Sequence, residues 1–265
     1  MITQNIRNLV AQIIEECDFI DGQQTPPIEP PPPPPPISQI VDCLAGTIPP
    51  ATNMYSNELT EADWLQHRIT YRTTMKNSES GSIVFIGDSM IERQDVSLVS
   101  QNAVNLGISG ESIRQLMYRI NELDINNQPN LIHRAGAVVI LTGVNDLSDS
   151  RNGTPTNAAE TVEFVYNRLK GWLTGNVVIC KLIPVDSGVF SIPTNSSIAH
   201  VNSWITANFS NLPNVRIVDV NATLAPQGSL LSQYHVDGQH LSESGNAVLQ
   251  LAIKNALISL GAVSQ

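Results

Sequence analysis

Three residue types that together perform acyl transfer occur in two short segments of the chain. Ser89 lies in the segment Gly-Asp-Ser-Met, and Asp237 and His240 lie in the segment Asp-Gly-Gln-His. A serine hydroxyl becomes an effective nucleophile when a neighbouring imidazole removes its proton during attack. Asp237 precedes His240 by three residues, which is close enough for its carboxylate to hold one ring N–H and orient the imidazole. These residues predict Ser89 as nucleophile, His240 as base and Asp237 as the orienting group.

Hydrogen-bond donors for a developing oxyanion are the second requirement of acyl transfer. The backbone N–H groups of Ser89 and Gly110 and the side-chain amide of Asn145 are the candidates. Glycine at position 110 lets the backbone approach a substrate without a Cβ between them. Asn145 could instead cap or turn the chain after a strand, but its predicted position across from Ser89 favours the oxyanion role. Asp88 and Asp146 are predicted to bind nearby backbone amides and stiffen their loops.

A metal site is an alternative interpretation of the C-terminal segment. His235, Asp237 and His240 offer two imidazoles and a carboxylate, which are common zinc or iron ligands. Their His-x4-His spacing does not place both rings on one helical face, and the sequence suggests no fourth ligand. Glycine-rich phosphate loops and the Gly-x-Ser-x-Gly elbow of α/β-hydrolases are both absent from the sequence. We therefore predict that the chain uses neither a metal nor another cofactor.

The elements that must position these residues are predicted from apolar patterning. Continuous apolar or β-branched runs are typical of parallel strands covered on both faces, and a weaker strand is expected at residues 103–106. Alternation of such runs with amphipathic helices predicts an α/β sandwich, in which chemistry occurs beyond the carboxyl ends of the strands. The stronger strands are residues 83–86, 137–141, 177–183 and 215–220. The helix stripes are Val162, Val165, Leu169 and Trp172, and Leu249, Ile253, Leu257 and Leu260.

The first 50 residues differ in composition from the rest of the chain. Residues 1–25 contain an apolar stripe that predicts a short amphipathic helix, which packs either against the main domain or against copies of itself. Residues 26–50 form a proline-rich linker, and the seven consecutive prolines within it favour an extended polyproline II spacer. A ligand for a proline-binding module is disfavoured because flanking basic residues are absent. We expect residues 1–50 to form homo-oligomers or to attach a hydrolase domain, residues 51–265, to a larger assembly.

Charge and hydrophobicity limit the partners and location of the chain. Its 265 residues include 14 basic and 24 acidic side chains, and the formal charge of -10 repels phosphate backbones and anionic membranes. We therefore predict no nucleic-acid partner. The sequence has no apolar run of about 20 residues and no secretory signal, so we expect no membrane insertion and a cytoplasmic or virion-associated location. Three cysteines without close pairing predict no disulfide framework, and Cys180 is expected to be a small buried apolar residue.

Four sequence blocks resemble those of the SGNH (GDSL-like) hydrolases, in the family's order and at similar separations. The family name refers to serine, glycine, asparagine and histidine, which correspond here to Ser89, Gly110, Asn145 and His240. The resemblance extends over about residues 60–262. The blocks are Gly87-Asp88-Ser89, Asn105-Leu-Gly-Ile-Ser-Gly110, Gly143-Val-Asn145-Asp146 and Asp237-Gly-Gln-His240.

Some positions refine this resemblance. The region around Trp64 and Arg68 is similar to members akin to the platelet-activating-factor acetylhydrolase subunits. Met90 replaces the leucine of the commonest first block, and Leu106 stands where many members carry arginine. Neither of these two positions performs the chemistry, so the departures concern the substrate class more than catalysis.

The resemblance implies a fold and an activity. It implies a flavodoxin-like, three-layer α/β/α sandwich with a central parallel sheet of about five strands. It also implies metal-independent hydrolysis of esters, often of O-acetyl groups on carbohydrates. We therefore expect a serine esterase that removes short acyl groups from a small ester or an O-acetylated glycan. The alternatives are a glycan-binding module on a larger particle with weak or no catalysis, and a lipase or thioesterase of the same family.

Overall fold

In the residues that the structure describes, five short strands form a parallel sheet. The computed structural model describes residues 81–111, 115–116, 135–147, 175–189 and 194–264. The strand order is β2-β1-β3-β4-β5, and every pair of neighbours is parallel, so all carboxyl ends lie at one edge. The strands are β1 (Ile83–Gly87), β2 (Ala103–Gly107), β3 (Ala137–Leu141), β4 (Asn176–Cys180) and β5 (Val215–Val218).

Helices flank this sheet. The strand order is that of flavodoxin-like sheets, in which the first strand lies between the second and the third. The fold is therefore the three-layer α/β/α sandwich expected from the sequence and its resemblance. In the described part of the chain the α-helices are α1 (Ser89–Glu92), α2 (Thr194–Phe209), α3 (Asn221–Leu224) and α4 (Glu243–Ser259). Single 3-10 turns lie at Val96–Leu98, Val144–Leu147 and Ser232–Tyr234.

The hydrophobic core surrounds the central strands. Strands β1 and β3 are buried along their whole length, as continuous apolar runs predict for a sheet covered on both faces. Helix α4 buries Leu249, Ile253 and Leu257 completely, and Leu260 caps the helix and packs against the core. The predicted apolar stripe of this helix is thus confirmed. Cys180 in β4 is also buried, and its burial raises the pKa of the thiol.

Two strands are shorter than their apolar runs predict. The run at residues 177–183 continues past the end of β4, and the run at residues 215–220 continues past the end of β5. Leu182 is buried outside the sheet because the side-chain amide of Asn202 replaces a strand partner: its Oδ1 accepts from Leu182 N at 2.7 Å and its Nδ2 donates to Leu182 O at 2.7 Å. The apolar pattern therefore predicted burial correctly but not the ends of the strands.

Several predicted segments lie outside the described residues. These are the helix at residues 1–25, the proline-rich linker at residues 26–50 and the helix that contains Val162 and Trp172. They remain predictions. Among the described residues, no helix combines the length and the apolar composition needed to cross a membrane.

Two leucines of α4 test how far the core depends on this helix. Leu249 has no exposed surface, whereas Leu251 on the same helix is 62% exposed. We expect Leu249→Ala to lower the free energy of unfolding by about 2–5 kcal/mol, because it leaves a cavity in a packed core. Leu251→Ala should change it by less than about 0.5 kcal/mol. Urea denaturation followed by circular dichroism measures both, and equal effects would contradict this description of the core.

Candidate active site

Three neighbouring strands end where the candidate catalytic residues lie. Ser89 follows β1, Gly110 follows β2 and Asn145 follows β3, and β1 lies between the other two. The carboxyl ends of parallel strands lie at one edge of the sheet, which is where ligands bind in open α/β folds. The sheet thus places the ends of these three segments side by side at one edge.

A tight connection between β1 and α1 sets the position of Ser89. Gly87 has φ +152, and a Cβ added there would lie 1.9 Å from the carbonyl oxygen of Leu141 on the neighbouring strand, so only glycine fits. Asp88 then caps α1 by accepting a hydrogen bond from Met90 N at 2.9 Å, which confirms its predicted contact with a nearby amide. Ser89 is the first residue of α1, and its backbone N–H has no acceptor within that helix.

A continuous chain of hydrogen bonds joins Ser89, His240 and Asp237. The Nε2 atom of His240 lies 2.9 Å from Ser89 Oγ, and its Nδ1 atom lies 2.6 Å from Asp237 Oδ2. Because an ionised carboxylate can only accept, His240 Nδ1 carries the ring proton and Nε2 is left to accept from the serine hydroxyl. Ser89 is 3% exposed, so its hydroxyl lies in a largely water-excluded position.

The carboxylate of Asp237 is held in its charged form. Its Oδ1 accepts hydrogen bonds from His240 N at 2.8 Å and Gln239 N at 3.1 Å, while its Oδ2 accepts from the His240 ring. Burial acts to raise its pKa, but the hydrogen bonds from His240 and Gln239 outweigh it and lower the pKa of Asp237 to about 2. The group that faces the imidazole is therefore a full negative charge at neutral pH.

A side-chain hydrogen bond connects the loops that carry the two other candidate oxyanion donors, Gly110 and Asn145. Gly110 has φ +72, a left-handed conformation that favours glycine. Asn145 lies in the 3-10 turn after β3, and its Nδ2 donates to the carbonyl of Glu111, the next residue after Gly110, at 3.0 Å. This bond fixes the Asn145 side chain beside the backbone of Gly110.

The family of the chain follows from comparison with known sequences. The family described as GDSL-like Lipase/Acylhydrolase matches residues 59–253. The chain belongs to this family. Its membership supports an ester hydrolase, and the match covers all four blocks on which the resemblance was recognised.

Similar proteins include mammalian enzymes and solved bacterial and fungal structures. The chain is 21% identical over 225 residues to human platelet-activating factor acetylhydrolase IB subunit alpha2, a match that covers 81% of this chain and 93% of the relative. A Streptococcus pneumoniae structure described as a platelet activating factor is 24% identical, covers 74% of this chain and 93% of its own, and has a TM-score of 0.61. A carbohydrate esterase family 3 structure from Talaromyces cellulolyticus is 15% identical, covers 69% of this chain and 100% of its own, and has a TM-score of 0.50.

A buried carboxyl lies directly before the serine of this acylhydrolase. Asp88 has no exposed surface, so its carboxyl is shielded from water. Burial raises the pKa of Asp88 to about 7 against the opposing hydrogen bond from Met90 N, and the nearby carboxylates of Glu111 and Asp146 raise it further. The folded chain then binds more protons here than the unfolded chain between about pH 4 and pH 7. This group's contribution to stability therefore falls as the pH rises through that window.

The alternative metal site is not formed by its three proposed ligands. Both ring nitrogens of His235 are engaged elsewhere, with Asp186 and with Gly238 N, while His240 faces Ser89. Across the described ranges, no group of three or more His, Cys, Asp or Glu side chains is arranged to hold a metal ion. His235 thus has a different role from the one that the metal hypothesis gave it.

Sequence reasoning missed some residues that support the site. Glu92, at the end of α1, accepts from both the backbone N and the hydroxyl of Ser109, which precedes Gly110. Asp186 contacts His235 from the loop after β4. The sequence did indicate a position for Asp186, because this residue follows an apolar run near the end of a strand. An isolated aspartate in a loop is nevertheless too common to predict a functional role.

The charge of Asp237 provides a titration test. Its pKa of about 2 in the folded chain lies below the value of about 3.9 expected when unfolded, so its stabilising contribution is complete above about pH 4 and is lost as the pH falls towards 2. Carboxyl carbon NMR should show Asp237 still ionised at pH 3. In His240→Ala the ring hydrogen bond is removed but the amides remain, so we expect the pKa to rise part of the way. A wild-type midpoint near 4 would contradict the hydrogen-bond network.

Proposed function

We propose that this acylhydrolase is a serine esterase that removes short acyl groups, chiefly O-acetyl, from a carbohydrate. The observation that supports it most directly is the hydrogen-bond chain from Ser89 Oγ through the His240 ring to Asp237. This chain contains a nucleophile, a base and an orienting carboxylate in the order that acyl transfer requires. The location of Ser89 at the carboxyl edge of the sheet agrees with where such folds bind ligands.

In the acylation step Ser89 Oγ attacks the ester carbonyl carbon. His240 Nε2 takes the hydroxyl proton as the new C–O bond forms, and Asp237 stabilises the resulting imidazolium. The carbonyl oxygen becomes an oxyanion that would accept hydrogen bonds from Ser89 N, Gly110 N and Asn145 Nδ2. The intermediate then collapses when His240 gives its proton to the leaving alkoxide, which leaves as the deacylated sugar hydroxyl.

In the deacylation step water replaces the sugar. His240, again neutral, removes a proton from a water molecule that attacks the acyl-Ser89 carbonyl. The same three donors would stabilise the second oxyanion. The proton then returns from His240 to Ser89 Oγ, and the carboxylic acid is released. No residue outside the hydrogen-bond chain and the three donors is needed to balance either step.

The short-acyl part of the proposal depends on the family of the chain, since O-acetyl esters are frequent substrates of the proteins that it resembles. A cavity of about 10 Å³ near α1 is not taken as the acyl site, because neither Ser89, His240 nor the other candidate oxyanion donors line it.

The carbohydrate part of the proposal depends on the alcohol side of the ester. The side chains of His240 and Asp237 are 18% and 47% exposed, so this segment of the site is partly open to solvent. An open polar rim accommodates a hydrated sugar better than a lipid chain. The solved carbohydrate esterase with the same fold agrees with this choice. Residues 1–50 would serve to attach the esterase to a larger assembly, as the sequence predicts.

Replacement of the nucleophile tests the mechanism. Ser89→Ala should lower kcat for p-nitrophenyl acetate by a factor of about 10⁶, because it removes the group that forms the acyl-enzyme. Ser203→Ala is the matched control, since Ser203 is an exposed serine on α2. A fluorophosphonate probe should label the wild type and Ser203→Ala but not Ser89→Ala. Activity that survives in Ser89→Ala would refute the proposed nucleophile.

The acyl chain length tests the substrate class. We expect kcat/KM to fall from p-nitrophenyl acetate to butyrate to octanoate, because a site that acts on O-acetyl groups needs to accommodate only a methyl group on the acyl side. Acetate release from an O-acetylated oligosaccharide should depend on Ser89. Activity that rises towards octanoate would instead support a lipase or thioesterase. Glycan binding by an inactive wild type would support the binding module.

A further inference from the structure

A second histidine–aspartate pair, His235 and Asp186, lies next to the segment that carries Asp237 and His240. His235 Nε2 is 2.9 Å from Asp186 Oδ2, and the two side chains are only 11% and 22% exposed. Asp186 belongs to the loop after β4, whereas His235 lies five residues before His240. The pair therefore connects a loop at the edge of the sheet to the segment that carries the proposed base.

The hydrogen bonds fix the tautomer of His235. Gly238 N donates to His235 Nδ1 at 2.8 Å, and a backbone N–H can only donate, so Nδ1 carries no proton. A hydrogen bond from Gly188 N and the contact with His235 lower the pKa of Asp186 against the effect of burial, so its carboxylate accepts from Nε2–H. His235 is then a neutral ring protonated on Nε2, whereas His240 is protonated on Nδ1.

Both backbone polar groups of Gly238 are bound by this pair. Gly238 N donates to the His235 ring, and Asp186 N donates to Gly238 O at 2.7 Å. Gly238 follows Asp237 directly and has φ +92, a conformation that the chain must hold for Asp237 and His240 to face each other. A further bond, from Val236 N to His240 O at 2.9 Å, closes the loop around it.

We propose that the Asp186–His235 pair is a positioning device that fixes the Gly238 backbone and thereby directs His240 Nε2 towards Ser89. His235 acts only as the neutral Nε2–H tautomer, because only that form accepts from Gly238 and donates to Asp186. Its ring nitrogens bind Asp186 and Gly238 rather than Ser89 or the candidate oxyanion donors, so it is a positioning residue. The proposal rests on the proposed function of Ser89 and His240 for its catalytic consequence, but not for the tautomer.

Three substitutions separate the two hydrogen bonds of His235. His235→Leu removes both, His235→Asn retains an acceptor near Nδ1 for Gly238, and His235→Gln retains a donor near Nε2 for Asp186. We expect His235→Leu to lower kcat by a factor of about 100 with little change in KM, because small misplacements of catalytic groups cost about this much. His235→Asn should recover a large part of kcat, and His235→Gln a smaller part. His200→Gln on the exposed face of α2 is the control.

Nitrogen-15 NMR of the histidine rings in the full chain tests the geometry without catalysis. In the wild type and in Ser89→Ala, His235 should show the Nε2–H tautomer and His240 the Nδ1–H tautomer. In His235→Leu the His240 Nδ1–H resonance should shift or broaden, because its loop is no longer held. A His235 ring protonated on Nδ1 would overturn the proposal, and so would an unchanged His240 resonance with reduced kcat. Failure of Ser89 as nucleophile would appear only in the activity of Ser89→Ala.

Discussion

The hydrogen bond between His240 Nε2 and Ser89 Oγ is the constraint on which the rest of the site depends. It joins residues that are 151 positions apart in the chain, so no local structure can produce it. Its length of 2.9 Å requires that α1 begin immediately after β1 and that the segment before α4 return to the same edge of the sheet. Each of the supporting contacts serves one of these two requirements.

Side-chain amides meet the first requirement. The Nδ2 atom of Asn105 lies 2.8 Å from Ile91 O and 3.1 Å from Gln94 O, and its Oδ1 accepts from Gly107 N at 2.9 Å. This half-buried amide thus connects the end of α1 to β2 and satisfies carbonyls that the short helix leaves without partners. On α2, Asn195 and Asn202 bind the backbone of the loop after β4, which carries Asp186, and so contribute to the second requirement. Fixed loops around a rigid sheet hold catalytic groups more accurately than loops alone.

The second requirement is met by two histidine–aspartate pairs that use the same segment differently. Asp237 and His240 face Ser89, whereas Asp186 and His235 bind the backbone of Gly238 between them. The two histidine rings have opposite tautomers, because the partner of each ring nitrogen determines whether that nitrogen donates or accepts a hydrogen bond. The segment is therefore specified by charge and hydrogen bonding more than by apolar packing, which agrees with its partial exposure.

The sequence by itself determined the fold class, the order of the strands and helices along the chain and the residues that follow each strand. It could do so because apolar runs and helical stripes are local patterns, and because Ser89, Gly110, Asn145, Asp237 and His240 fall in short recognisable blocks. Only the tertiary structure decided where β4 ends, which ring nitrogen of His240 faces Ser89 and that His235 pairs with Asp186. These features depend on contacts between residues far apart in the sequence, such as Asn202 with Leu182 and His235 with Asp186, and no local pattern encodes which distant partner a polar side chain will meet.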